Sequence, residues 1–121
     1  MAFTHGTLEN EILNAVWSME ENGIEAKNIS VSEVLSEINN NGNIRAYTTV
    51  KTVMDRLVEK NLLRRQKTGK KFCYLSVDSR ETMAQSAINK LAGQYFNNDI
   101  RSLIRALEKQ CATLTVFWKT K

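Results

Sequence analysis

The sequence predicts a mainly α (α+β) fold: a winged helix-turn-helix with a two-stranded wing, followed by a C-terminal helical dimerisation segment. Three observations carry this. Apolar residues recur at helical spacing in three short segments before residue 61. Two strand-like runs flank a Gly-containing turn directly after the third segment. Two further amphipathic stretches then occupy the last third of the chain.

The first helix spans Leu8 to about Glu20. Leu8, Ile12, Val16 and Met19 share one face, Leu13 and Trp17 flank it, and Asn22-Gly23 ends it. Ser30-Val31-Ser32-Glu33 has the form of a capping box, in which two side chains satisfy each other's orphan backbone donors. Val31, Val34, Leu35 and Ile38 make the second helix amphipathic, and Asn39 to Asn43 is too rich in Asn and Gly to continue it. The third helix runs from about Tyr47 to Lys60. At 100° per residue Val50, Val53, Met54 and Leu57 fall on one side, with Val58 at its edge. Thr48, Thr52, Asp55 and Glu59 fall on the other, flanked by Thr49, Lys51 and Arg56, and Asn61 is placed as the stop.

Leu62–Lys67 and Lys71–Val77 read as strands around Thr68-Gly69-Lys70, with Phe72 and Tyr74 as strand formers. Asp78-Ser79-Arg80-Glu81 resembles a helix start. Ala84, Ala87, Ile88, Leu91 and Tyr95 follow on one stripe, Asn97-Asn98-Asp99 interrupts, and Ile100, Leu103, Ile104, Leu107 and Cys111 mark a last helix. The domain division is therefore 1–77 for the winged helix and 78–121 for the helical segment. Its apolar faces exceed what a three-helix core covers, so the expectation is a homodimer.

Composition narrows the function. No apolar run approaches the ~20 residues of a membrane span, and the N-terminus lacks a signal-peptide pattern. Two cysteines do not make a disulfide framework. These features point to the cytoplasm. No Gly-rich phosphate loop and no acid pair in a catalytic setting appear, and the one histidine, His5, has no neighbouring Cys or second His to build a zinc site. Neither an enzyme, a metal nor a cofactor is expected. Charge is uneven within a net +4. Residues 1–40 hold seven acids and one base, whereas Arg45–Lys71 holds nine bases and two acids. A positive field concentrated in this way fits a polyanion partner or a solvated basic surface, and charge alone does not choose between them.

The third helix suits the DNA major groove, where N-terminal residues of such a helix reach base edges. Its first turns carry Thr48, Thr49, Lys51 and Thr52, and its acids come later. An ordinary solvated helix places acids in the first turn, where the helix dipole favours them. Arg56 completes its basic side, and Arg64, Arg65, Lys67, Lys70 and Lys71 lie within eight residues of hairpin with no acid among them. These ten residues are the candidate contacts to double-stranded DNA. A winged-helix protein–protein adaptor and a small-molecule-responsive activator stay open as alternatives. Trp17 and Phe72 are expected in the core and Cys73 partly buried; the apolar tail Leu114–Trp118 fits packing on a dimer partner or a ligand or partner surface, and the sequence does not choose among these.

The segment Ala46–Lys60, Ala-Tyr-Thr-Thr-Val-Lys-Thr-Val-Met-Asp-Arg-Leu-Val-Glu-Lys, with Leu62-Leu63-Arg64-Arg65 and Lys71-Phe72-Cys73-Tyr74, resembles the penicillinase repressor family of BlaI, MecI and CopY type. The likeness covers about Leu8 to Val77 in detail. It implies a homodimeric repressor on a palindromic operator, with Thr48, Thr49, Lys51 and Thr52 facing the operator and the wing cations on phosphates. Two departures bear on regulation. Copper-responsive members carry C-terminal Cys-x-Cys motifs, whereas Cys111 here stands alone; β-lactam-responsive members are cleaved at an Asn-Phe bond, whereas this chain has Phe96-Asn97. The inducing signal and any regulatory protease are left unidentified by the sequence.

Overall fold

The computed structural model describes residues 6–119, with side chains over 6–112. The chain divides into two compact units, Met1–Arg80 and Glu81–Lys121.

The first unit is a winged helix. It contains α1 (Thr7–Glu21), a 3-10 turn (Ala26–Asn28), α2 (Val31–Asn40), α3 (Tyr47–Glu59), β1 (Leu63–Thr68) and β2 (Lys71–Ser76). Each helix starts and stops for a local reason. The Gly6 amide donates to the Glu9 carboxylate at 2.8 Å, opening α1, and the Ser30 hydroxyl accepts from the Glu33 amide, opening α2. All three helices end on a left-handed residue: Gly23 (φ 82°), Gly42 (φ 98°) and Asn61 (φ 62°). At the end of α3, the Asn61 amide donates to the Val58 carbonyl and the Leu62 amide to the Leu57 carbonyl, both at 3.0 Å. This paired pattern satisfies carbonyls that the last helical turn leaves open. Asn tolerates the left-handed conformation better than other side-chain-bearing residues, so the anticipated stop at Asn61 has a conformational cause.

The core draws on the three helices and both strands. Ile12, Leu13, Val16 and Met19 of α1 meet Val31, Val34 and Ile38 of α2, and Val50, Val53, Met54 and Leu57 of α3. Ile29, Leu63 and Tyr74 join them from outside the three helices. The helical faces read from periodicity are the buried ones. The strands pair antiparallel from Leu63↔Ser76 to Thr68↔Lys71. The turn between them is two residues, with Gly69 at its first central position and φ +66°, which a side chain there rarely adopts. β2 is also tied back to the turn after α1, where the Tyr74 amide donates to the Ile29 carbonyl at 2.8 Å.

Two core expectations need correction. Cys73 is fully rather than partly buried, and Phe72 is 42% exposed rather than in the core. Phe72 pairs with Lys67 close to the hairpin tip, where it lines an open groove rather than the core, so position along the wing overrides its apolar character. Trp17 is half-buried against the core. Its indole N–H donates to the Asp78 carbonyl at 3.0 Å, and the Arg80 guanidinium lies 5.5 Å from its ring centroid.

The second unit contains α4 (Arg80–Tyr95, whose first residue belongs to the first unit) and α5 (Ile100–Lys119), which continues eight residues past Cys111. Asn97 and Asn98 turn the chain at positive φ. Asp99 opens α5 by accepting from the Arg101 amide and the Ser102 hydroxyl, each at 3.0 Å. Ala92 and Leu103 are buried, while Ile88, Leu91, Tyr95, Ile100, Ile104 and Leu107 are exposed. His5 lies outside the described residues, as do the side chains of Leu114–Trp118.

Candidate nucleic-acid interface

The start of α3 has the chemistry of a surface made for an anion. Its N-cap is Ala46, which has no side chain able to accept from the first amides, and its first turn contains no acid. The helix dipole and the open amides therefore meet solvent uncompensated. Thr48, Thr49, Lys51, Thr52 and Arg56 are all exposed. The Thr52 hydroxyl donates to the Thr48 carbonyl at 2.9 Å, so its proton is used inside the helix. Its methyl and oxygen lone pairs are the groups it has left to offer outward.

The wing stands beside this helix. Arg64, Arg65, Lys67, Lys70 and Lys71 are exposed. Strand alternation puts Arg65 and Lys67 on one face, with their cross-strand partners Tyr74 and Phe72. Arg64 projects from the opposite face. Arg65 lies over the Phe72 ring at 4.7 Å from its centroid, which gives the exposed aromatic a cationic cover. A cavity of about 380 Å³ opens between the starts of α2 and α3 and the wing, and Tyr47, Lys51, Lys70, Lys71 and Phe72 are among its lining residues. The structure thus gathers Lys51, Lys70 and Lys71 around one groove, and leaves Arg64 apart from it.

Ion pairs sort the nine basic residues of the middle segment. Arg45 grips Glu11 through two hydrogen bonds of 3.1 and 2.6 Å, and Lys60 reaches Glu9 at 2.7 Å. Both fasten the ends of α3 to α1. Lys51 and Arg65 share Asp55, at 2.9 and 3.1 Å. Arg56, Arg64, Lys67, Lys70 and Lys71 form no ion pair among the described residues and keep their full charge for solvent or a partner.

Asp55 is the residue whose partners sequence reasoning did not supply. It was expected on a later turn of the polar side, flanked by Lys51 and Arg56, and in the structure it accepts from Lys51, from Arg65 and from the Tyr74 hydroxyl at 3.0 Å. The i,i+4 spacing of Lys51 and Asp55 was a readable signal for the first of these. Partial burial raises the Asp55 pKa, but the hydrogen bonds from Lys51, Tyr74 and Arg65, with the Lys51 charge, outweigh it. The carboxyl therefore titrates below its ordinary range. Burial, then the hydrogen bond to Asp55 and its charge, push the Tyr74 phenol from 10.0 up to about 12.

That shift predicts an alkaline limit. A group whose pKa is raised by folding contributes stability that is complete below its unfolded value and is lost as pH climbs through its folded value. The urea midpoint of the wild-type protein is expected to fall between pH 10 and about 12. Tyr74→Phe, which has no proton to lose at this position, should lose less over the same interval. An identical alkaline decline in both proteins would show that Tyr74 is not responsible.

Comparisons with known proteins bear on the family and the fold. The model of the family described as penicillinase repressor matches residues 5–116. The search of curated proteins returns no match. Among solved structures, the ferric uptake regulator of Francisella tularensis, determined with iron, is similar with a TM-score of 0.51 and 20% identity. The similarity covers 64% of this chain and 56% of that one, so this chain accounts for little over half of that protein's length. At such identity the likeness concerns the winged-helix fold alone. An exposed, acid-free helix start beside a basic wing, in a chain matched almost end to end, has one reading: the chain belongs to the penicillinase repressor family of DNA-binding transcriptional regulators.

Proposed function

We propose that the protein is a repressor that binds a palindromic operator as a homodimer in the cytoplasm, with residues 1–77 reading DNA and 78–121 joining two copies. One observation carries this reading. Five exposed cations with no ion pair among the described residues, Arg56, Arg64, Lys67, Lys70 and Lys71, lie on α3 and the hairpin that follows it, and α3 begins without cap or acid. A helix N-terminus with hydroxyls and a lysine fits base edges and nearby phosphates, and a basic hairpin fits the backbone. In this reading Thr48, Thr49, Lys51 and Thr52 face bases. Arg56, Arg64, Arg65, Lys67, Lys70 and Lys71 supply phosphate contacts.

The exposed apolar residues of α4 and α5 support pairing. Ile88, Leu91, Tyr95, Ile100, Ile104 and Leu107 are each more than a third exposed, and a two-fold contact between copies buries such a face without opening a chain of further contacts. Two readers joined in this way require two half-sites related by symmetry.

The test begins with selection of bound duplexes from a random pool. The selected duplex is then footprinted and titrated at several salt concentrations. Symmetric protection of two half-sites, with affinity falling steeply as salt rises, is the expected result. Lys70→Ala and Lys71→Ala should each weaken selected and scrambled duplexes alike and flatten the salt slope by about 0.9 per lost phosphate contact. No enrichment from the pool, or binding indifferent to salt, would defeat the proposal.

A further inference from the structure

We propose that Asp55 is a specificity-determining positioning residue, a built-in competitor that holds Lys51 and Arg65 away from indiscriminate phosphate contact and yields them to a cognate site. The proposal rests on the DNA-reading function above and extends it to a residue of opposite charge.

The geometry is unusual for a surface meant to attract an anion. Among the acids of the Arg45–Lys71 segment, Asp55 alone forms ion pairs with basic residues of that segment. Three donors from three elements converge on its carboxylate. Lys51 comes from one turn back on α3, Arg65 from β1 and the Tyr74 hydroxyl from β2. Arg65 and Tyr74 are direct cross-strand partners, so the hairpin presents both to the same acceptor. Phe72 holds the Arg65 guanidinium from its other side, at 4.7 Å. Lys51 and Arg65 are thus held by one shared carboxylate in the free protein, while the five cations with no ion pair among the described residues are not.

This divides the interface by what each contact requires. An unpaired cation gains from any phosphate, so it attracts every sequence. Lys51 and Arg65 gain only where the new acceptor outcompetes a carboxylate that already binds them, and where the carboxylate left behind is still tolerated near the duplex. A well-placed acceptor of the cognate site meets that condition, a base edge for Lys51 and a phosphate held in register by it for Arg65, and an average backbone position does not. The acid reduces overall affinity and increases the difference between right and wrong sites, which is how a repulsive element contributes to specificity.

Asp55→Asn tests this on the full-length protein, with the duplex enriched by the wild type from a random pool and a scrambled duplex of the same length. The variant is expected to bind the scrambled duplex more tightly, with a salt slope steeper by up to about 1.8 as two cations become available to phosphates. The ratio of selected to scrambled affinity should fall. Tyr74→Phe removes a donor from the same carboxylate and leaves both ion pairs, so its slope should stay at the wild-type value. If Asp55 serves only to fasten the wing, both variants will lose affinity on both duplexes and neither slope will steepen, which overturns the proposal. If Asp55→Asn does not fold, the wild-type protein still decides: the Asp55 carboxyl carbon signal should shift on adding the selected duplex and stay in place with the scrambled one. Equal shifts, or none with either, would overturn the idea. If the wild type itself binds neither duplex, the repressor reading fails instead.

Discussion

Leu57→Ala is expected to destabilise the winged-helix unit by about 2–5 kcal/mol, the range for removing a fully buried leucine and leaving the space behind. Leu57 is 0% exposed and belongs to the cluster shared by all three helices, Leu63 and Tyr74. Its carbonyl also accepts the Leu62 amide that closes α3. The side chain and backbone of one residue thus serve the core and the helix stop. Because α3 and the wing meet immediately after it, a cavity at this point loosens the base of both. For a unit of this size the thermal midpoint should drop on the order of 10 °C or more, followed by far-ultraviolet circular dichroism. Leu62→Ala, at a half-buried position, should cost less. A loss at Leu57 below about 1 kcal/mol would mean that the surrounding side chains close the space, contrary to the tight packing of protein interiors.

Lys51→Ala should weaken binding to the selected duplex by roughly 1–3 kcal/mol, about 5- to 150-fold, with a much smaller effect on a scrambled one. Two changes act in the same direction. The ammonium that meets the DNA is lost, and Asp55 keeps only Arg65 and Tyr74 as donors while facing a polyanion. The combination places the expected loss toward the upper end of that range. Anisotropy titrations with both duplexes measure it. Equal losses on the two would identify Lys51 as another phosphate contact and remove it from the base-reading set.

The parts of the fold legible in the sequence are those governed by local physics. Val50, Val53, Met54 and Leu57 lie on one helical face because of their spacing, and that face is the buried one. Asn61 ends α3 because its own conformation allows it. A turn at Gly69 follows from the same rule, although Thr68, expected within it, pairs with Lys71 and leaves a turn of two residues. What escaped notice depends on residues distant in the chain. Ile29 belongs to the core because β2 is bound to its carbonyl, across 45 positions from Tyr74. Phe72 was expected inside because strand propensity says nothing about how far a hairpin projects beyond its support. The partners of Asp55 on the hairpin escaped for the same kind of reason. The helix position of Asp55 was right, but the strands that bring Arg65 and Tyr74 to it could not be positioned from pattern alone. At the candidate interface the exposed cations were legible, whereas their division into paired and unpaired sets required the folded chain.

The closure of α3 at Asn61 has a thermodynamic consequence for recognition. Only three residues, Lys60 to Leu62, separate the helix from the first strand, and the amides of the last two are hydrogen-bonded back into the helix's final turn. Helix and wing are therefore joined without a flexible segment, and Asp55 ties them again at a second point. A binder whose contacting parts already hold their bound arrangement forfeits little conformational entropy on association. The free energy released by counterions and by base contacts then goes into affinity, with little diverted to ordering the module.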